Sequence, residues 1–134
     1  MKFYCLGYYD EKKWEKSPEA KREAFTDECF AYDELLKKGG HFGGGDGLKG
    51  TGETRTVQWK RDKAVVTDGP YATAKESLGG ILILEAKNLD EAVALISNHP
   101  GIKAGPFEIR PVEDMSGVIA ESAKRRARKT RKAA

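Results

Sequence analysis

Cysteine, histidine and long apolar runs are all scarce in this sequence, and each shortage removes a class of protein. The two cysteines, Cys5 and Cys29, lack C-x-x-C spacing, which argues against a disulfide scaffold or a thioredoxin-like redox pair; two free thiols in a reducing compartment are expected. The two histidines, His41 and His99, are well separated and have no neighbouring cysteines, so no structural zinc site or other metal centre is expected, and no cofactor motif stands out. No apolar stretch approaches the ~20 residues of a membrane helix. Met1-Lys2 leads into a strand-like segment without the apolar core of a signal peptide, and the expectation is a cytoplasmic protein with no membrane contact. Acidic residues are missing from one stretch: residues 124–134 carry seven basic side chains and no acidic one. Without that tail, 17 basic residues face 21 acidic ones, a net charge of −4 for residues 1–123 where the whole chain has +3. The basic character therefore belongs to the tail, and the remaining length suits one domain.

What is present falls into alternating segments. Residues 2–9 read as a strand, with Phe3 and Tyr9 on one face and Tyr4 and Tyr8 on the other. Ser17-Pro18 opens a helix, Ser17 as N-cap and Pro18 at the first position; Phe25, Cys29, Tyr32 and Leu36 form one apolar stripe, and Gly39-Gly40 ends it. The glycine-dense residues 40–53 are expected to be irregular or bulged. Residues 54–60 alternate, with Val57 and Trp59 expected inward, and a turn at Arg61-Asp62 returns the chain through 63–67 as a hairpin. Residues 68–80 read as a loop, and Ile81-Leu82-Ile83-Leu84 as a central strand. Asn88 with Glu91 suggests a capping box for a second helix, whose inner face is Leu89, Ala92, Val93 and Ile96. His99 is expected to cap its C-terminus. A last strand covers 107–112, and 117–127 suits a short amphipathic helix running into a disordered basic end.

That order predicts an α+β, ferredoxin-like βαββαβ fold with an extra hairpin over 1–115, followed by a basic extension over 116–134. Both the first strand and the 81–84 run are apolar on their two faces, yet the helices cover only one. A homodimer joined face to face through its sheets is the economical completion.

The run VVTDGPYATAKESLGG (65–80) contains Asp68-Gly69-Pro70-Tyr71, Lys75-Glu76 and Leu78-Gly79-Gly80, and Arg110-Pro111-Val112 follows near the end. In these motifs and their order the chain resembles the DGPF group of the YCII-related family. The resemblance implies a dimeric α/β-barrel arrangement like that of muconolactone-isomerase-like proteins. It also implies an association with extracytoplasmic-function sigma factors for some members, without fixing a reaction. Tyr71 stands where the family usually has Phe, and the basic extension is not part of the family pattern.

Candidate site residues follow from chemistry at these motifs. Asp68 suits a general base at a pocket mouth, although Asp-Gly-Pro is also turn chemistry. Lys75 and Glu76 suit an acid/base or anion-binding set, or simply pair with each other. His41 has the side chain best matched to proton transfer near neutral pH. With Asp68 and His41 as catalytic candidates, the expected ligand lining is Tyr9, Asp10, Phe42, Tyr71, Lys75 and Glu76. A structure in which neither Asp68 nor His41 faces a cavity sinks the enzyme reading that has one of them as its base. Gly45–Gly50 satisfies G-x-G-x-x-G literally, but a helix precedes it and a strand follows, the reverse of a dinucleotide site. The tail has basic charge but no aromatic residue for stacking, so nucleic-acid recognition is not expected. Two readings remain: a small-molecule enzyme of isomerase or lactone type, and a non-catalytic module binding a ligand or a sigma factor.

Overall fold

Strands that are apolar on both faces belong at the centre of a sheet, and the two such segments of this chain pair with each other there. A computed structural model describes residues 1–133. β1 (Lys2–Tyr9) lies antiparallel to β5 (Ser77–Glu85), with Phe3 opposite Leu84, Cys5 opposite Leu82 and Gly7 opposite Gly80. β2 (Phe42–Gly47) pairs with the free side of β5 and β6 (Phe107–Pro111) with that of β1. The order is β2-β5-β1-β6, every neighbour antiparallel, which is consistent with a ferredoxin-like fold. β2 is a strand despite its glycines, and the expected bulge lies between Phe42 and Gly44.

Two helices close one face of this sheet. α2 (Glu19–Lys38) and α3 (Leu89–Ser97) bring Leu36, Ala92 and Ile96 onto Phe3, Cys5, Leu82 and Leu84, forming the buried core with Ala86. A short helix not expected from the sequence, α1 (Glu11–Lys16), precedes α2. It starts because Asp10 accepts a 3.1 Å bond from the Lys13 N–H, and Ser17 ends it rather than opening α2. Pro18 then takes the N-cap position of α2. At the other end Gly40 has φ 76°, and the Gly40 and His41 N–H groups donate to the Lys37 and Leu36 carbonyls, the paired bonds of a Schellman ending. Asn88 caps α3 by accepting from the Glu91 N–H at 2.9 Å, while the Glu91 carboxylate reaches back one residue further, to the Lys87 N–H at 3.2 Å. On the other sheet face Tyr4 lies opposite Ile83 and Leu6 opposite Ile81.

The hairpin of β3 (Arg55–Lys60) and β4 (Lys63–Asp68) forms a second, two-stranded sheet. Arg61 and Asp62 both have positive φ, as a type I′ turn requires. The hairpin's orientation differs from expectation: Val57 and Trp59 point outward, 65% and 73% exposed, with Val66 on the same face. Alternation shows which residues share a face but not which face meets the body. Here Thr56, Gln58 and Val65, on the opposite face, are half-buried. A helix over 117–127 with an unstructured end was expected; α4 instead spans Ser116–Ala133. Arginine, lysine and alanine are good helix formers, and the basic last turn suits the helix dipole. Asp114 accepts from the Ser116 N–H at 2.9 Å, and that bond, aided by the Ser116 hydroxyl, holds its carboxyl below the usual range.

Cys5 gives the core a pH dependence. Burial raises its thiol from 9.0 to about 11, so folding favours the protonated form. The associated stability is complete below pH 9.0, where the unfolded thiol is still neutral, and is lost as pH rises towards about 11. Urea unfolding at a series of pH values is expected to show a decline across this window, up to roughly 3 kcal/mol of it from Cys5. Cys5→Ala, less stable at every pH, should show a shallower decline; an unchanged slope refutes the assignment.

Candidate functional site

Leu36 of α2 is closed into the core, but Phe25 and Cys29 on the same stripe line a cavity of about 740 Å³ between the helix and the sheet. The sheet register explains the space. Gly47 lies opposite Gly80, and Gly80 opposite Gly7, so three adjacent strands present glycine in one row beneath α2. Gly45 and Gly79 also line the floor. Without side chains rising from these positions, the helix and sheet leave between them an open cleft whose volume is in the usual range for small-molecule sites. Trp14, Phe25, Phe30, Phe42 and Phe107 supply aromatic walls. Trp14 packs edge-on against Tyr9 and Phe25, with centroids 6.5 and 5.7 Å away.

The cavity is also lined by the charged side chains Glu34, Lys37 and Asp46, and two further polar side chains, Asp33 and His99, meet there as a bonded pair. His99 is 6% exposed, and its Nε2 lies 2.9 Å from Asp33 Oδ1. The other ring nitrogen, Nδ1, accepts a 2.9 Å bond from the Gly101 N–H. A nitrogen that accepts is not protonated, so the neutral ring carries its proton on Nε2 and donates it to Asp33. Rather than capping the end of α3, as expected, His99 caps the following 3-10 turn, Pro100–Lys103. The ring is held between Tyr32 and Phe107, with centroids 5.2 and 5.6 Å away. Gly101 makes room for it: a Cβ there would stand 2.9 Å from His99 Nδ1 and 3.0 Å from Phe107. Asp33 also lines the cavity and can reach a guest with the rest of its carboxylate.

Two nearby groups are held protonated. Burial, then Glu11 and Glu15, pushes the Tyr9 hydroxyl upward, further from its ionised form. Burial, then Asp33 and Glu28, pushes the Cys29 thiol up to about 11, so it is not a ready nucleophile.

Of the residues singled out from the sequence, Tyr9 and Phe42 line the cavity. Asp10 caps α1 and lies 4.0 Å from Lys75 at a neighbouring groove. Asp68, with its side chain 87% exposed, pairs across the hairpin with Arg55 at 3.0 Å. Gly69 beside it has φ 97°, and its N–H and carbonyl bond Thr54 and the Thr56 hydroxyl, so the Asp-Gly-Pro motif builds the hairpin's base. Tyr71, Lys75 and Glu76 are exposed. His41 is 2.8 Å from the Glu85 carbonyl through Nδ1, beside Glu91. Neither Asp68 nor His41 is among the residues lining the cavity.

Asp33 lies outside the apolar stripe of α2 and belongs to no local motif. Its signal was its place four residues after Cys29, where an acid borders the buried face of a helix. For His99 the signal was Gly101 two residues on.

A small antiparallel α+β domain with a ligand-sized cavity beneath its long helix is the class that this fold and site define. The chain belongs to the YCII-related domain family, which matches residues 1–116. An uncharacterized protein of Rhizobium meliloti (strain 1021) is 26% identical over 114 residues, covering 84% of this chain and 92% of that protein. Among solved structures, 5-chloro-2-hydroxyhydroquinone dehydrochlorinase (TftG) from Burkholderia phenoliruptrix AC1100, in complex with 2,5-dihydroxybenzoquinone, is similar with TM-score 0.52 and 19% identity. That likeness covers 84% of this chain and 94% of the other, and it shows the fold.

Two glycines at the site should respond oppositely to alanine. A Cβ at Gly47 meets nothing within 4 Å, so Gly47→Ala is expected to be neutral or to stabilise by up to about 1 kcal/mol. Gly101→Ala must displace His99 and should cost about 1–3 kcal/mol. Urea denaturation of both variants checks the pair; a neutral Gly101→Ala rules out the tight fit around His99.

Proposed function

We propose that the chain is a small-molecule enzyme that moves a proton on a cyclic, oxygenated substrate. The observation that carries this reading is the Asp33–His99 pair at the wall of an aromatic cavity. Asp33 takes a proton from carbon or oxygen adjacent to a carbonyl, and His99 Nε2–H holds the carboxylate in position. The Tyr9 hydroxyl donates to oxygen as negative charge develops there. Return of the proton from Asp33 to a different atom completes an isomerisation. The similarity to a dehydrochlorinase of chlorinated hydroxyhydroquinone, seen with a dihydroxybenzoquinone, supports testing hydroxylated rings and quinones first.

A homodimer is part of this reading. Tyr4, Leu6, Ile81 and Ile83 form an apolar patch on the sheet face away from the helices, and a second copy is the partner that buries it. The alternative, a non-catalytic module for a sigma factor or another protein, draws support from the outward Val57, Trp59 and Val66 of the hairpin. Cytoplasmic residence is retained as a proposal; among the described residues no helix is long and apolar enough to cross a membrane.

A panel of hydroxyhydroquinones, dihydroxyquinones and unsaturated lactones, followed by absorbance and by deuterium exchange in NMR, tests the assignment. Asp33→Asn is expected to lower kcat by at least about a hundredfold, and Gly47→Leu to abolish turnover while remaining folded. Asp68→Asn and His41→Gln should leave turnover near wild type. Full activity in Asp33→Asn, or a panel that yields no turnover, moves the reading to the binding module.

A further inference from the structure

Beside the cavity lies a smaller groove of about 190 Å³, whose own lining includes Asp10, Lys13, Lys21, Arg22 and Lys103. The two spaces share Tyr9, Trp14, Phe25 and Ala104, so they adjoin across one aromatic edge. Four cationic side chains converge here from three parts of the fold: Lys13 from α1, Lys21 and Arg22 from the first turns of α2, and Lys103 from the 3-10 turn after His99. Among the described residues none of the four forms an ion pair with a carboxylate. The one carboxylate in the groove, Asp10, is engaged by the Lys13 N–H and lies 4.0 Å from Lys75.

This concentration is not the background of the molecule, since residues 1–123 carry a net charge of −4. It also has an energetic cost. Lys21 and Arg22 stand near the positive end of α2's dipole, where cations are disfavoured and anions favoured. Lys13, Lys21 and Lys103 are exposed and Arg22 is half-buried, so solvent screens their mutual repulsion, and an anion entering the groove gains attraction from all four.

We propose that this groove is an anion subsite, and that the molecule taken by the cavity is a cyclic acid. Its ring lies on the glycine floor against Trp14 and Phe25, and its carboxylate reaches Lys21 and Arg22. The inference rests on the cavity being a small-molecule site, and it adds the charge of the substrate to that reading. The carboxylate fixes the ring's direction in the cavity and so sets which ring position faces Asp33.

Binding is measured by quenching of Trp14 fluorescence in a Trp59→Phe background, which leaves one tryptophan. The probes are 2,5-dihydroxybenzoate, its neutral counterpart 2,5-dihydroxybenzyl alcohol, and inorganic phosphate. The benzoate is expected to bind about tenfold or more tightly than the alcohol, and the preference should fall as NaCl rises from about 50 to about 500 mM. In Lys21→Gln/Arg22→Gln the two ligands should bind alike, because only the benzoate weakens. Lys13→Gln/Lys103→Gln provides a second removal of charge on different elements, should the first pair fail to fold. Equal binding of both ring compounds to the parent protein overturns the subsite and leaves the cavity reading standing. A benzoate preference that survives both double variants also overturns it. If neither ring compound binds, the cavity reading fails and takes the subsite with it. Phosphate binding as tightly as the benzoate marks the groove as a general anion trap rather than part of a cyclic-acid site.

Discussion

Side-chain volume missing from the sheet at Gly47, Gly80 and Gly7 must be matched by something else between the sheet and α2, because protein interiors are close-packed. Toward the C-terminal end of α2 the match is Leu36 against Phe3 and Leu84. Toward its N-terminal end none of the described residues supplies it, and the helix spans a cavity. The same rigid helix is thus anchored at one end and stands over open space at the other. A sheet with ordinary strand residues in this row would have a continuous core and no site. The glycines weaken β2 and β5 locally, and the pairing of β5 with strands on both sides compensates for that weakness.

The Asp33–His99 bond depends on this arrangement. A nearly buried imidazole needs partners for both nitrogens, and it has them: a carboxylate on one side and a backbone N–H on the other. Each partner comes from a different part of the fold, so the pair ties α2 to the turn that follows α3. Aromatic rings on two sides leave His99 little freedom to rotate. The polar pair is consequently as fixed as the core around it, although one of its members borders open space.

Much of the fold was legible because local signals agreed with one another. The stripe of α2, the Gly39-Gly40 ending and the Asn88 cap each name a boundary or a face, and the doubly apolar 81–84 run can only be central. The site was less legible, for a physical reason. Its acid and its histidine are distant in sequence and come together only when α2 crosses the sheet, so neither is marked by a local motif. The Asp-Gly-Pro run is conspicuous for the opposite reason: its conformational demands are local, and they are spent on closing the hairpin at Thr54, Thr56 and Gly69. Conspicuous loop chemistry and the chemistry of a cavity need not be the same thing. Tyr9, singled out at the end of the first strand, and Phe42, singled out in the 39–48 loop, both fall on the lining of the cavity.

α4 gives the molecule a pronounced electrical polarity. Seven positive charges lie in residues 124–134, and the rest of the chain has a net charge of −4. A helix of 18 residues extends about 27 Å, several times the screening length of about 8 Å at physiological salt. The two charge populations therefore do not cancel as seen by a neighbour, and the protein has the character of a dipole rather than of a weakly basic sphere. Its solubility and its encounters with other macromolecules should follow ionic strength more closely than the net charge of +3 would suggest. Dilute salt favours head-to-tail attraction between molecules, and concentrated salt makes them indifferent to one another.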